Sequence, residues 1–167
     1  MSIASSVFIK EVIPMRMWHV DLIPYLPRLQ LISQWREVCL IANEWAIYGT
    51  PNHILVNEVI KYPLIHFVSY CNMVLSEMKS RGYRIMPNTL NRLNGNIIKI
   101  NDGRFAAGLI VSDTGIIRDY IYEDWHNSRY LLQCYFNLEE KHDRGGIPEA
   151  EWALLEEFYA EIYDELL

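Results

Sequence analysis

The chain has 167 residues, 51% of them hydrophobic, and a formal net charge of -6; this supplies enough apolar material for a core of its own and excludes an overall basic, phosphate-covering surface. Its longest apolar runs, such as Val38 to Ala42 and Leu64 to Val68, are far too short to cross a bilayer. The first fourteen residues lack the basic start and apolar stretch of a secretory leader. Cys39, Cys71 and Cys134 are odd in number and outside disulfide or metal spacings, so a reducing cytoplasm is the expected location. Charge is unevenly distributed: Met15 to Gly95 carries eight basic and five acidic residues, a net of +3, and Asn96 to Leu167 carries six basic and fifteen acidic residues, a net of -9. A modest positive surface is therefore available on the first half.

Taken in chain order, a tail of residues 1–14 precedes one expected domain over 15–167. Met15 to Leu26 reads as an extended lead, and Pro27 sits where proline suits the first position of a helix. Leu31, Trp35, Val38, Ala42 and Trp45 then recur at helical spacing, with Gln30, Gln34, Glu37 and Glu44 along another face. A second helix opens at Pro63, carries Leu64, Phe67, Val68, Cys71, Val74, Leu75 and Met78, and stops at Arg81-Gly82.

Between Ile97 and Tyr122, β-favouring runs alternate with Asn101-Asp102-Gly103 and Asp113-Thr114-Gly115 turns, as in a small β-hairpin or meander. Helical spacing returns with Tyr130, Leu131, Cys134, Tyr135 and Leu138. After Gly145-Gly146, a last amphipathic helix opens at Pro148 with Trp152, Leu155, Tyr159, Ile162 and Leu166 as its apolar stripe. The expected fold class is mainly α: a compact, single-domain helical fold with a small β-hairpin insertion around 97–122.

The stretch MRMWHVDLIPYLPRLQLISQWREVCLI from Met15, followed by NHILVNEVIKYPLIHF and SEMKSRGYRI, resembles the pyrimidine-dimer DNA glycosylases of the endonuclease V type. The two blocks span roughly half the chain in the right order; beyond about Asn88 the resemblance is lost. It implies a compact helical domain acting on damaged double-stranded DNA. The implied chemistry has two steps: scission of the glycosyl bond at the 5' pyrimidine of a cyclobutane dimer, then strand breakage by β-elimination at the abasic site. The nucleophile in such enzymes is an N-terminal amine that forms an imine with the sugar C1', assisted by a helix glutamate.

The glutamate that matches is Glu37, and the residue aligned with the amino terminus is Met15. An N-terminal amine has a reference pKa of about 7.7 to 8.0 against about 10.4 for lysine, so far more of it is neutral and nucleophilic at pH 7. With fourteen residues before Met15, three routes supply a free amine: translation from Met15, removal of the tail, or fold-back of the amine at Met1 or Ser2. The first is preferred, with the Met15 amine as nucleophile. The resemblance assigns DNA contact to Arg36 and Gln30; Arg16 is a candidate phosphate ligand by its place beside the amine alone, and His19 and His53, which lie in the matched blocks, are candidates to line the site; Leu40 stands where some members carry another arginine. Read without it, Glu37, Arg36 and Gln30 are solvated helix residues and the two histidines structural or exposed.

His126, Cys134 and His142 do not have the i,i+3 or i,i+4 spacing that zinc ligands on one helix require, and no glycine-rich phosphate loop or Gly-x-Ser-x-Gly element is present. No metal and no cofactor is expected, nor a membrane partner, and the protein is expected to be a monomer. The alternative is a protein of the same fold that binds nucleic acid or a protein partner without catalysis.

Overall fold

The structure is a computed structural model and describes residues 15–101 and 109–166. All regular secondary structure among them is helical: α1 (Arg28–Tyr48), α2 (Leu64–Ser80), α3 (Pro87–Asn101), α4 (Ser128–Asp143) and α5 (Glu149–Leu166), with short 3-10 turns at Val20–Tyr25 and Asn57–Lys61. The mainly α expectation holds, and no described helix is long and apolar enough to cross a membrane.

Prolines open α1 and α2 as expected, Pro27 and Pro63 standing at their caps. In the first turn of α1, whose N–H groups lack intrahelical acceptors, the Glu151 carboxylate of α5 accepts from the Arg28 N–H at 2.7 Å, a favourable place for negative charge. At the end of α2, Gly82 takes φ 76, a left-handed conformation that costs glycine little. Gly82 N–H then donates to Lys79 O and Tyr83 N–H to Met78 O, both at 2.9 Å, the paired bonds of a Schellman stop. Arg81, between them, reaches away to Leu26 O at 2.7 Å and Pro24 O at 3.0 Å while its Nε holds Glu77. Arg81-Gly82-Tyr83 is thus a structural clasp between α2 and the leading segment.

The core joins residues from Met15 to Leu155, with Trp35, Val38 and Ile41 of α1 and Phe67, Cys71 and Leu75 of α2 buried in it. α1 packs on α2 and α3, α4 on α5, and the 3-10 turn at Val20–Tyr25 meets α2, α4 and α5.

Two expectations are corrected. The Met15–Leu26 segment is extended only to His19 and then winds into the Val20–Tyr25 turn around Pro24. The hairpin around 97–122 is absent among the described residues: Ile97 to Asn101 closes α3, and 109–122 is an irregular loop held by side chains. Asn94 grips Val111 N–H at 2.8 Å and its carbonyl at 3.0 Å, and Asn72 grips Ser112 N–H and Ile116 O, both at 2.9 Å. These asparagines give the loop the hydrogen bonds that a partner strand would have supplied. The part of that run at 102–108, like the tail 1–14, lies outside the described residues.

Candidate active site

Gln34 organises the site. It falls on the polar stripe of α1 in the sequence, yet its side chain is wholly buried, because the leading segment lies over it. Gln34 Oε1 accepts from Trp18 N–H at 2.7 Å and its Nε2 donates to Arg16 O at 2.8 Å, so one amide side chain pairs with the segment as a neighbouring strand would. The Tyr130 hydroxyl donates to Met17 O at 2.5 Å. The Tyr70 hydroxyl lies 2.6 Å from Trp18 O and 2.9 Å from Gln34 Oε1, two acceptors for its single proton. α1, α2 and α4 together fix the path of residues 16–18.

One turn along α1 from Gln34, Glu37 receives the Arg16 backbone N–H on Oε2 at 3.3 Å and the Gln34 Nε2 at 3.4 Å. Burial raises its carboxyl to about 7, against the smaller opposing pull of the Arg16 N–H, Lys141 and the Arg16 guanidinium. Near neutral pH such a group is present in both protonation states, as a residue that must first give and then take a proton requires.

Glu37 opens onto a cavity of about 410 Å³ lined by Met15, Arg16, Gln30, Leu55, Asn137 and Lys141 among others. The Arg16 guanidinium is also stacked 5.5 Å from the Trp18 ring centroid. Gln30 contributes a buried Oε1 with no hydrogen-bond partner among the described residues. Because leaving such an acceptor unpaired is costly, it suits a donor brought by a ligand. Among the described residues, no three His, Cys, Asp or Glu side chains converge as metal ligands.

Of the residues singled out in the sequence, Met15, Arg16, Gln30 and Glu37 line this one cleft. Arg36 is on α1 beside Glu37 with its side chain exposed, and does not line the cleft. His19 is buried behind it, its Nε2 2.8 Å from His126 O and its Nδ1 accepting from Asp21 N–H at 3.1 Å. His53 is spent on the turn after α1, where its Nδ1 accepts from Leu55 N–H at 3.3 Å.

Gln34, Lys141 and Asn137 were not distinguished in the sequence. The near-repeat of polar residues at 30, 34 and 37 was the one signal for Gln34. Nothing local marks Lys141 and Asn137, which α4 delivers from far along the chain.

Residues 15–91 match the family model described as pyrimidine dimer DNA glycosylase. The match includes the leading segment, Gln34, Glu37 and Leu55, while Asn137 and Lys141 fall after it. No curated protein and no solved structure matches the chain.

Proposed function

From the match of residues 15–91 to the pyrimidine dimer DNA glycosylase family, we propose that the Glu37 cleft cuts the glycosyl bond at a pyrimidine dimer and then the DNA strand. The observation that carries this reading is the hydrogen bond from the Arg16 backbone nitrogen to a Glu37 carboxyl raised to about 7. A chain beginning at Met15 has its terminal amine one residue, at most about 3.6 Å, further along the backbone.

In the proposed reaction the neutral Met15 amine attacks C1' of the 5' nucleotide of the dimer, and the electrons of the C1'–N bond leave with the base. Protonated Glu37 supplies a proton as the sugar ring opens, and the amine nitrogen loses its own proton to give the C1' imine. Glu37, now a carboxylate beside the cationic imine, stabilises it electrostatically. It then removes a C2' proton, whose bond electrons form the C1'–C2' enamine; the enamine pair moves on to make the C2'–C3' double bond as the C3'–O bond breaks, the 3' phosphate leaves with that bond's electrons, and the strand is cut. Arg16 and Lys141 in the cleft, and Arg36 outside it, offer cations to the phosphates, and Gln30 Oε1 accepts from a donor of the DNA.

Borohydride trapping tests the reading. Abasic or dimer-containing duplex is incubated with the full chain and with a chain beginning at Met15, then reduced. A covalent complex with the shorter chain, mapped to the residue-15 amine, is the expected result. Absence of any adduct with either chain removes the imine chemistry and leaves a DNA-binding protein of the same fold.

A further inference from the structure

The turn between α1 and α2 is tightly built and points two aliphatic side chains outward. Pro51 is buried at its base and Val56 is wholly buried at its far end. Between them, Asn52 has φ 54 and its N–H rests on Thr50 Oγ1 at 3.2 Å. Asn57 Oδ1 accepts from His53 N–H at 2.9 Å and from the Thr50 hydroxyl at 3.1 Å, while Val56 and Asn57 N–H groups donate to His53 O at 3.0 and 2.9 Å. On this pedestal Ile54 is 86% exposed and Leu55 48% exposed.

On a turn held by these hydrogen bonds, the exposed Ile54 and half-exposed Leu55 are adjacent, so their joint apolar surface is available to something outside the chain. Leu55 says where that surface sits: it lines the Glu37 cleft and also the neighbouring cavity of about 490 Å³, forming the ridge between them. A double-stranded substrate placed on the cleft, with its phosphates drawn to Arg16 and Lys141, meets this ridge at the reacting nucleotide. Enzymes that act on a stacked nucleotide must first part the stack. Aliphatic side chains inserted between base steps do this, unstacking them and kinking the duplex.

We propose that Ile54 and Leu55 form an apolar wedge that enters duplex DNA at the damaged step and holds it open while the sugar faces Glu37. The proposal rests on the repair reading of that cleft. The hydrogen bonds around His53 and Asn57 make the wedge preorganised, so little ordering is required on binding.

The test uses the full chain and a duplex with one thymine dimer and a 2-aminopurine beside it, whose fluorescence rises when it unstacks. The unaltered protein is expected to bind and raise the fluorescence. Ile54→Ser, which removes no internal packing, is expected to suppress the rise and weaken binding about ten-fold, as loss of one buried aliphatic contact would. Ile54→Leu is expected to restore both. Ile98→Ser, at an isoleucine of α3 that is 68% exposed, is expected to change neither. An Ile54→Ser/Leu55→Ser protein that keeps full fluorescence and affinity overturns the wedge alone, as does one altered only in self-association during sedimentation. If the unaltered protein binds neither dimer-containing nor abasic duplex, the repair reading fails and takes the wedge with it.

Discussion

Lys141 of α4 faces Glu37 of α1 across one cleft, and its charge is among the influences that draw the Glu37 carboxyl down from where burial alone would put it. Lys141→Met is therefore expected to move the Glu37 titration above about 7. Carbon-13 NMR of the labelled glutamate carboxyl reads this directly, and an unchanged titration would show that solvent screens Lys141 from the pair.

Glu37→Gln separates activity from stability. Its carboxyl goes from an ordinary 4.5 to about 7 on folding. Its raised folded value means that its contribution to stability is whole below pH 4.5 and is lost as the pH climbs through 7. Glutamine carries no such loss. The variant is expected to lose most turnover, to melt higher than the parent at pH 8, and to match it near pH 4.5; equal melting temperatures at pH 8 would contradict the buried carboxyl.

His126 works in the opposite sense. Burial pushes its imidazole from 6.5 down to about 2, and His19 beside it is lowered for the same main reason. The unfolded chain takes up these protons below pH 6.5 and the folded one does not, so acid erodes stability by about 1.4 kcal/mol per pH unit for one such histidine. Between pH 6.5 and 4.5 the Glu37 contribution runs against it. His126→Asn, whose amide oxygen can still receive the Val20 N–H now held at 3.1 Å, should lessen the acid loss in urea titrations from pH 6.5 to 4.

Gln34→Met leaves the Trp18 N–H and Arg16 carbonyl without their partner. Orphaned buried groups of this kind cost about 1–3 kcal/mol each, so a total near 3 kcal/mol is expected from urea unfolding. Gln34→Glu keeps the acceptor for Trp18 but loses the donor to Arg16 and sets a second carboxyl beside Glu37. Activity should fall further in Gln34→Glu than its stability alone accounts for.

Gly115→Ala tests the loop that replaced the expected hairpin. A Cβ at Gly115 would fall inside the Asn72 amide, which is itself buried and bonded to Ser112 and Ile116. With no room to yield, overpacking should cost about 2 kcal/mol, measured by thermal melting.

The long helices and the core were legible in the sequence because their signals are local. Pro27 and Pro63 mark starts, Arg81-Gly82 marks a stop, and the apolar residues of α2 keep a 3.6 period throughout. α3 was not legible. PNTLNRLNGN is rich in asparagine and contains Gly95, both poor helix formers, and the isoleucines after it favour strands. Its burial of Leu93 and Ile97 and its packing on α1 outweigh those preferences.

At the candidate site, Met15, Arg16, Gln30 and Glu37 were accessible through the leading block and their helix positions. Gln34 was hidden because burial under a separate extended segment has no periodicity, and Lys141 because its proximity is created by tertiary packing. His19 and His53 drew notice by type, whereas their hydrogen bonds engage them in the scaffold.

Gln34 and Glu37 are three residues apart on a single helix, and each holds the backbone of residue 16, one by its carbonyl and the other by its nitrogen. That arrangement acts as a jig. Both grips come from one helix, so the placement of the carboxylate against the residue-16 nitrogen follows from a three-residue spacing along α1.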